Sequence, residues 1–234
     1  VFIRGNSKLG EDVWTWSILA GHTCPGKSAP CLSECYALHG HFVWASTIAS
    51  HQSRWEHSLK RSFVKDALAE LEKLKPKVLR VHVAGDFYSP AYVRKWHKII
   101  EATPGTQFFL FSRSWRVPNI LRELRKLAGL KNVCMWFSCD QETGAPPLAR
   151  NVRRAYMSLN DDDAPLYRVD LVFRAKRGTT QKFNKRGHFV CPVEQGIVRQ
   201  KHITCSTCRL CFTPGPMPRK EPQRAARQPT LASV

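Results

Sequence analysis

Residues 78–87 read VLRVHVAGDF, and Ser89-Pro90 follows at once. The run alternates like a half-buried strand, while a serine before a proline is the combination that caps a helix and opens its first turn. Val93, Trp96 and Ile100 then fall on one helical face. Residues 107–112 (QFFLFS) read as the next strand, Ile120, Leu121, Leu124 and Leu127 as the next helix, and residues 133–138 (VCMWFS) as a third strand. Upstream, residues 13–19 (VWTWSIL) form a β-prone run that leads into a loop, and residues 37–74 hold a long helix or a helix pair. Repeated strand-then-helix units imply an α/β fold with a parallel sheet, either an incomplete barrel or an open wound sheet.

Active sites in such folds lie beyond the carboxyl ends of the strands. That rule draws His22 and Cys24, Gly85 and Asp86, Ser112 and Arg113, and Ser138, Cys139 and Asp140 towards one face. Arg113 is a candidate catalytic group because a guanidinium can grip an anion bidentately, while Asp86 joins it only through the second resemblance given below. Each histidine near this face, His22 and His82, has a structural reading beside the functional one.

Seven of the nine cysteines fall into two groups. Cys205, Cys208 and Cys211 form a C-x2-C-x2-C run, with Cys191-Pro192 upstream. Bacterial ferredoxins use such a run with a further Cys-Pro, since three thiolates on a tight loop can each reach a different iron of a four-iron cube. Here the Cys-Pro precedes the run, and zinc remains an alternative to a [4Fe-4S] cluster. Cys24, Cys31 and Cys35 offer three more ligands and no local fourth. A distant Cys139 or His22 would close that site; otherwise one iron stays open. Cys134, inside a strand, reads as a small core residue.

A chain of 234 residues buries a core without disulfides, so the cysteines point to metal and a reducing, cytoplasmic compartment. No signal-like segment opens the sequence, and nowhere do about twenty apolar residues run together as a membrane span needs. Lys and Arg number 37 against 18 Asp and Glu, for a net charge of +19. That field attracts polyanions, so nucleic acid is the leading partner class and an acidic small molecule the second. A solvated basic surface is the bland reading. Arg150, Arg153 and Arg154, with Lys182, Lys185 and Arg186, are candidate phosphate contacts, and Trp115, between Arg113 and Arg116, is the candidate to stack on a base. Walker, dinucleotide-binding and HExxH motifs are absent.

The organisation expected is an α/β domain over 1–180, a cysteine-rich extension over 181–213, and a disordered basic tail over 214–234. Oligomeric state is not legible.

At TCPGKSAPCLSECYA, HVAGDFYS and CPVEQG with TCSTCRLCF, and in the opening GNSKLG, the chain resembles the phage and plasmid proteins of the gene product 88 family. That resemblance brings a grouping, and a host cytoplasm if the chain is phage-encoded, but no activity. The order strand, three-cysteine loop, long helix, strand ending in Gly-acid also resembles the opening of radical S-adenosylmethionine (SAM) enzymes. This likeness implies a partial (β/α) barrel, one or two [4Fe-4S] clusters, and cluster ligation by Cys24, Cys31 and Cys35. It further implies SAM contacts from Gly85, Asp86 and Tyr36, and a carboxyl-terminal extension holding an auxiliary cluster. The loop is longer than the family's, and the acid is Asp. Two readings result: a cluster-dependent enzyme acting on a nucleic acid or an anionic small molecule, or a nucleic-acid-binding protein whose zinc or closed clusters only brace loops.

Overall fold

The computed structural model describes residues 2–160, 162–174, 183–193 and 203–218. Seven strands form one sheet in chain order: β1 (Ile3–Arg4), β2 (Val13–Trp16), β3 (Val78–Val81), β4 (Gln107–Ser112), β5 (Val133–Cys139), β6 (Val152–Ser158) and β7 (Leu171–Arg174). Only β1 runs antiparallel to its neighbour; every pair from β2 to β7 is parallel. The fold is therefore mixed α/β with a largely parallel sheet.

Period-two alternation gives the sheet two apolar faces. On one, Trp16, Leu79, Val81, Phe108, Leu110, Met135 and Phe137 pack against the apolar stripes of α3 (Phe63–Leu74), α4 (Pro90–Glu101) and α5 (Pro118–Leu127). The opposite face presents Phe109, Cys134, Trp136 and Leu171, and the carboxyl-terminal segment covers it with Phe189, Cys191, Phe212 and Met217. Cys134 is a core residue of that face. Burial of each large side chain is worth roughly 1.5–3 kcal/mol, so the cysteine-bearing segment is welded to the sheet.

Local chemistry sets the helix ends. Ser89 caps α4 by accepting from the Tyr92 N–H at 3.2 Å, with Pro90 in the first turn as the sequence predicts. The long segment before β3 is a helix pair, α2 (Ala45–Leu59) and α3, preceded by two 3-10 turns. Lys95 on α4 donates to the carbonyls of Ser58 (2.7 Å), Leu59 (3.2 Å) and Lys60 (2.9 Å), satisfying the last groups of α2.

Three expectations are corrected. The strand expected over 78–87 stops at Val81, because His82 takes a left-handed conformation (φ 64°) and both His82 N and Val83 N bond to the Trp16 carbonyl. The strand expected over 13–19 likewise ends at Trp16. β6 was not expected, since charged Arg153 and Arg154 disguise its alternation. β7 lies within the apolar run 169–175, whose last residue falls outside the described set, as do Lys182 and the tail beyond residue 218.

His82 is buried between core rings, 4.7 Å from Phe87 centre to centre, with Nε2 3.0 Å from the Tyr92 hydroxyl. Burial, aided by the Arg80 charge, pushes its pKa down to about 3; burial, Arg54 and His41 push that of His51 down to about 4. Both are neutral in the fold and gain protons on unfolding below the ordinary histidine value near 6.5. Stability is complete above that pH and is lost as pH falls towards 4. We expect urea midpoints to decline between pH 6.5 and pH 4, by up to about 1.4 kcal/mol per pH unit for each histidine, and His82→Gln to flatten the decline. A midpoint constant from pH 7 to pH 4.5 would refute this.

Candidate functional site

The loop carrying the first three cysteines lies over the carboxyl ends of β3, β4 and β5, and a buried polar network fixes it there. Ser28 caps α1 (Ala29–Ser33), its Oγ accepting from Cys31 N at 3.2 Å. Arg113, just past β4, donates to Ser28 Oγ at 2.7 Å and to the carboxylate of Asp140, just past β5; Ser28 also donates to Asp140. Nearby, Ala29 N donates to Glu142 at 2.8 Å, and Arg116 reaches the carbonyls of Gly26 (3.3 Å) and Lys27 (3.0 Å). The approach is so close that a Cβ on Gly26 would stand 2.1 Å from the Arg113 carbonyl oxygen. At Gly85 (φ 82°) a Cβ would stand 2.5 Å from Ile18 Cγ1, so glycine is required where the β3 turn meets the start of the loop.

Asp86 is buried, and its carboxylate accepts from the backbone N–H groups of Phe87 (2.7 Å), Arg113 (2.8 Å) and Ser114 (3.1 Å). Burial raises its pKa while these bonds oppose the rise. Burial, then Asp86, Cys31 and Cys35, push the Cys24 thiol up to about 12. Cys31 is raised by burial, with the Arg113 charge pulling the other way. Cys24, Cys31, Cys35, Asp86 and Arg113 thus share one electrostatic neighbourhood, as strand-end reasoning predicts.

The two candidates for a fourth ligand each have a partner of their own. Cys139 is fully buried, donates to the Ala155 carbonyl at 3.4 Å, and packs with Tyr156, Val169 and Val172. His22 stacks edge-on against Trp55 at 4.6 Å. Tyr36, directly after Cys35, is half exposed and donates its hydroxyl to the Val83 carbonyl.

The second group sits on the opposite face of the sheet from the helices. Cys191, Cys205, Cys208 and Cys211 line one small cavity with Leu171, Phe189 and Val193. Thr204 caps the single turn α6 (Cys205–Cys208) through a reciprocal capping box with Thr207. The opening GNSKLG supplies the cradle: Lys8 and Leu9 carbonyls accept from Cys205 N (3.0 Å) and Ser206 N (2.9 Å), and a Cβ on Gly10 (φ 86°) would stand 2.1 Å from Ser206 Oγ. Burial, with Cys191 and Cys205, raises the Cys211 thiol well above its ordinary range, and the Arg80 guanidinium opposes this. Arg80 stacks over Phe111 (5.4 Å) and Phe109 (5.9 Å), and its buried Nε has no hydrogen-bond partner.

All nine cysteines are free thiols. Among the described residues, no three His, Cys, Asp or Glu side chains are drawn together as ligands of a single metal ion. A four-iron cube differs in kind, since each thiolate meets a different metal and the sulfurs stand further apart.

Other expected contacts are corrected. Arg153 donates to the carbonyls of Leu210 (2.8 Å), Thr213 (2.7 Å) and Gly215 (2.7 Å), and Arg154 to that of Pro146 (2.6 Å), so both brace loops where phosphate contacts were expected. Trp115 packs beside Phe137 and donates to the Ser138 carbonyl at 2.8 Å, which removes it as a base-stacking residue. Sequence reasoning missed Ser28, whose position before Ala29-Pro30 is a helix-cap signal, and it missed Arg80, Arg116 and Glu142, which carry no local signature.

Fold and site together define an α/β protein with two separate cysteine groups, one at the strand ends and one bound to the opposite sheet face. The chain belongs to the gene product 88 family, whose profile matches residues 1–214. It is similar to the gene 88 protein of Mycobacterium phage L5, 25% identical over 205 residues that cover 82% of this chain and 78% of that protein. The gene 88 protein of Mycobacterium phage D29 is 28% identical over 133 residues, 52% of this chain and 54% of that protein. No solved structure matches. Among the described residues, no helix is long and apolar enough to cross a membrane.

Removing one partner of a buried ion pair strands the other charge, at a cost of about 3–5 kcal/mol. Asp140→Ala should therefore destabilise the chain by that order in equilibrium denaturation. Glu142→Gln, at a half-exposed position, should cost less than about 1 kcal/mol. Equal effects of the two substitutions would contradict the network described.

Proposed function

We propose that this chain is a two-centre iron-sulfur protein, and that its amino-terminal centre is the reactive centre of a radical-SAM-like enzyme. One observation carries the reading. Three half-buried cysteines lie on the loop over the carboxyl ends of parallel strands and act on one another electrostatically, while Cys139 is bonded to the Ala155 carbonyl. Three thiolates on a four-iron cube leave one iron for an exchangeable ligand, and such an open position is what chemistry requires. The strand order supports the comparison. Parallel strands in strict sequence, with helices on one face, are the repeat from which partial (β/α) barrels are built.

The donor set fits. Cys24 and Cys31 are desolvated and crowded by Asp86 and neighbouring sulfurs, which raises their thiols, and bound metal would supply the positive charge that favours their ionised form. When bound, such a cluster supplies a single electron to the ligand on its open iron. The chain's own residues do the positioning. Asp86 holds the turn after β3 to the end of β4 through the backbone N–H groups of Arg113 and Ser114, and Arg113 ties the cysteine loop to Asp140. In this arrangement Asp86 accepts from three backbone N–H groups and Arg113 spends Nη1 on Ser28 and Asp140, which gives both a positioning role. Tyr36 borders the site with its hydroxyl on the Val83 carbonyl. The carboxyl-terminal group, enclosed and four-cysteine, suits an electron-transfer or structural centre.

The alternative is a nucleic-acid-binding protein with structural zinc. Anaerobic purification with iron and sulfide analysis separates the two. We expect about eight irons per chain, falling to about four when Cys24, Cys31 and Cys35 are all changed to serine, and again to about four when Cys205, Cys208 and Cys211 are. Reduction should cleave SAM in the wild type and not in the first variant. Stoichiometric zinc and a colourless protein would refute the proposal. A fully loaded protein that leaves SAM intact would refute its enzymatic half.

A further inference from the structure

A string of rings borders the amino-terminal cysteine loop, and beyond Tyr36 it takes no part in the networks above. Tyr36 lies 5.6 Å from Phe42, Phe42 4.3 Å from His41, and His41 6.4 Å from Trp44, centre to centre. Trp44 is 65% exposed, the most exposed tryptophan position among the large hydrophobics, with Tyr36, Val43 and Ile48 about half exposed around it. Solvent-facing apolar side chains this concentrated in one short segment mark a surface that something covers.

We propose that this string is a platform on which the bases of a single-stranded nucleic acid stack, placing the strand beside the three-cysteine loop. The inference rests on the reading of that loop as a reactive centre, whose substrate class it names.

Charge selects the occupant. From Cys35 to Trp55 the chain has no Asp or Glu, and His39 and His41 are exposed in the same stretch. Lys8 stands over the Tyr36 ring at 5.9 Å, and exposed Lys27 lies in the adjoining loop. A polyanion meets no repulsion along this surface. A second copy would bring a further +19 against it, so self-association is electrostatically opposed. Stacking on side-chain rings needs unstacked bases, which single strands offer and duplexes do not. The cysteine loop adjoins the platform, since Tyr36 directly follows Cys35, and a base splayed over Tyr36 would lie beside it.

The test is fluorescence anisotropy of labelled oligo(dT) and oligo(U) with the full chain purified without oxygen, at one fixed salt concentration. Trp44→Ala should weaken binding by about tenfold or more, Trp44→Phe should restore part of it, and the salt dependence should persist in both because phosphate contacts remain. Unchanged affinity in Trp44→Ala would overturn the proposal. So would duplex bound as tightly as single strand, preference for vesicles of anionic lipid, or a Trp44-dependent self-association seen by light scattering. The same titration on the Cys24, Cys31 and Cys35 triple serine variant separates the two proposals. Trp44-dependent binding that survives loss of iron supports the platform, and it does so even where the wild type is found to hold no iron at all.

Discussion

The arrangement depends on a buried ion pair. Arg113 and Asp140 belong to the ends of adjacent parallel strands, and they meet over Ser28, the cap of the helix that carries Cys31. An isolated charge at either place would be prohibitively desolvated, so each residue is tolerable only because the other is present. Sheet register brings the strand ends together, and the pair then dictates where a loop without much apolar content must sit. This is a polar solution to a positional problem. A loop of small and polar residues could not be held by packing alone, since Pro25, Gly26, Ser28 and Ala29 bury little area.

The same low dielectric governs the thiols. Each cysteine whose pKa is raised is raised first by burial, and within each group the neighbouring sulfurs add to the effect. The countercharges are arginines placed with economy: Arg113 beside Cys31, and Arg80 across the sheet beside Cys211. Arg80 projects from the middle of β3, a position where a parallel strand ordinarily carries an apolar residue. Its stacking on Phe109 and Phe111 makes that tolerable, and leaves the cation facing the carboxyl-terminal cysteines. Two anionic centres of similar design would each need such a partner, and each group has one.

How much of this was legible in sequence follows from which signals are local. Strand and helix periodicity around Leu79, Trp96, Phe108, Leu124 and Met135 is a local pattern, and the α/β order followed from it. The strand-end rule then placed Cys24, Asp86, Arg113 and Asp140 on one face without any knowledge of their contacts. Partners are not local. That Arg113 answers Asp140, that Asp86 is consumed by backbone donors, and that Arg153 reaches carbonyls far along the chain are consequences of tertiary position. Residue type therefore suggested an anion-binding arginine and phosphate contacts where the fold uses those charges on itself. β6 was hidden for the related reason that Arg153 answers a carbonyl distant in sequence and Arg154 one in the preceding loop. Trp115 and Trp44 show the same limit, since seven tryptophans can be counted but their exposure cannot be read.

The opening GNSKLG gives that argument its last step. Nothing local in six small and polar residues announces a function, yet their carbonyls hold the turn of Cys205 and Ser206, and Gly10 is glycine because Ser206 fills the space of a side chain. Lys8 accepts from Cys205 through its carbonyl and reaches the ring of Tyr36 with its ammonium group. One residue thus touches the turn of one cysteine group and the neighbour of the other. The β1 and β2 hairpin that carries this loop is anchored in the sheet by β2, so the loop is a rigid bridge and not a loose strand end. A change that loosens residues 5–10 would displace the carboxyl-terminal turn and remove the cation from Tyr36 together. The two groups, far apart in sequence, are therefore one structural unit whose joint lies at the beginning of the chain.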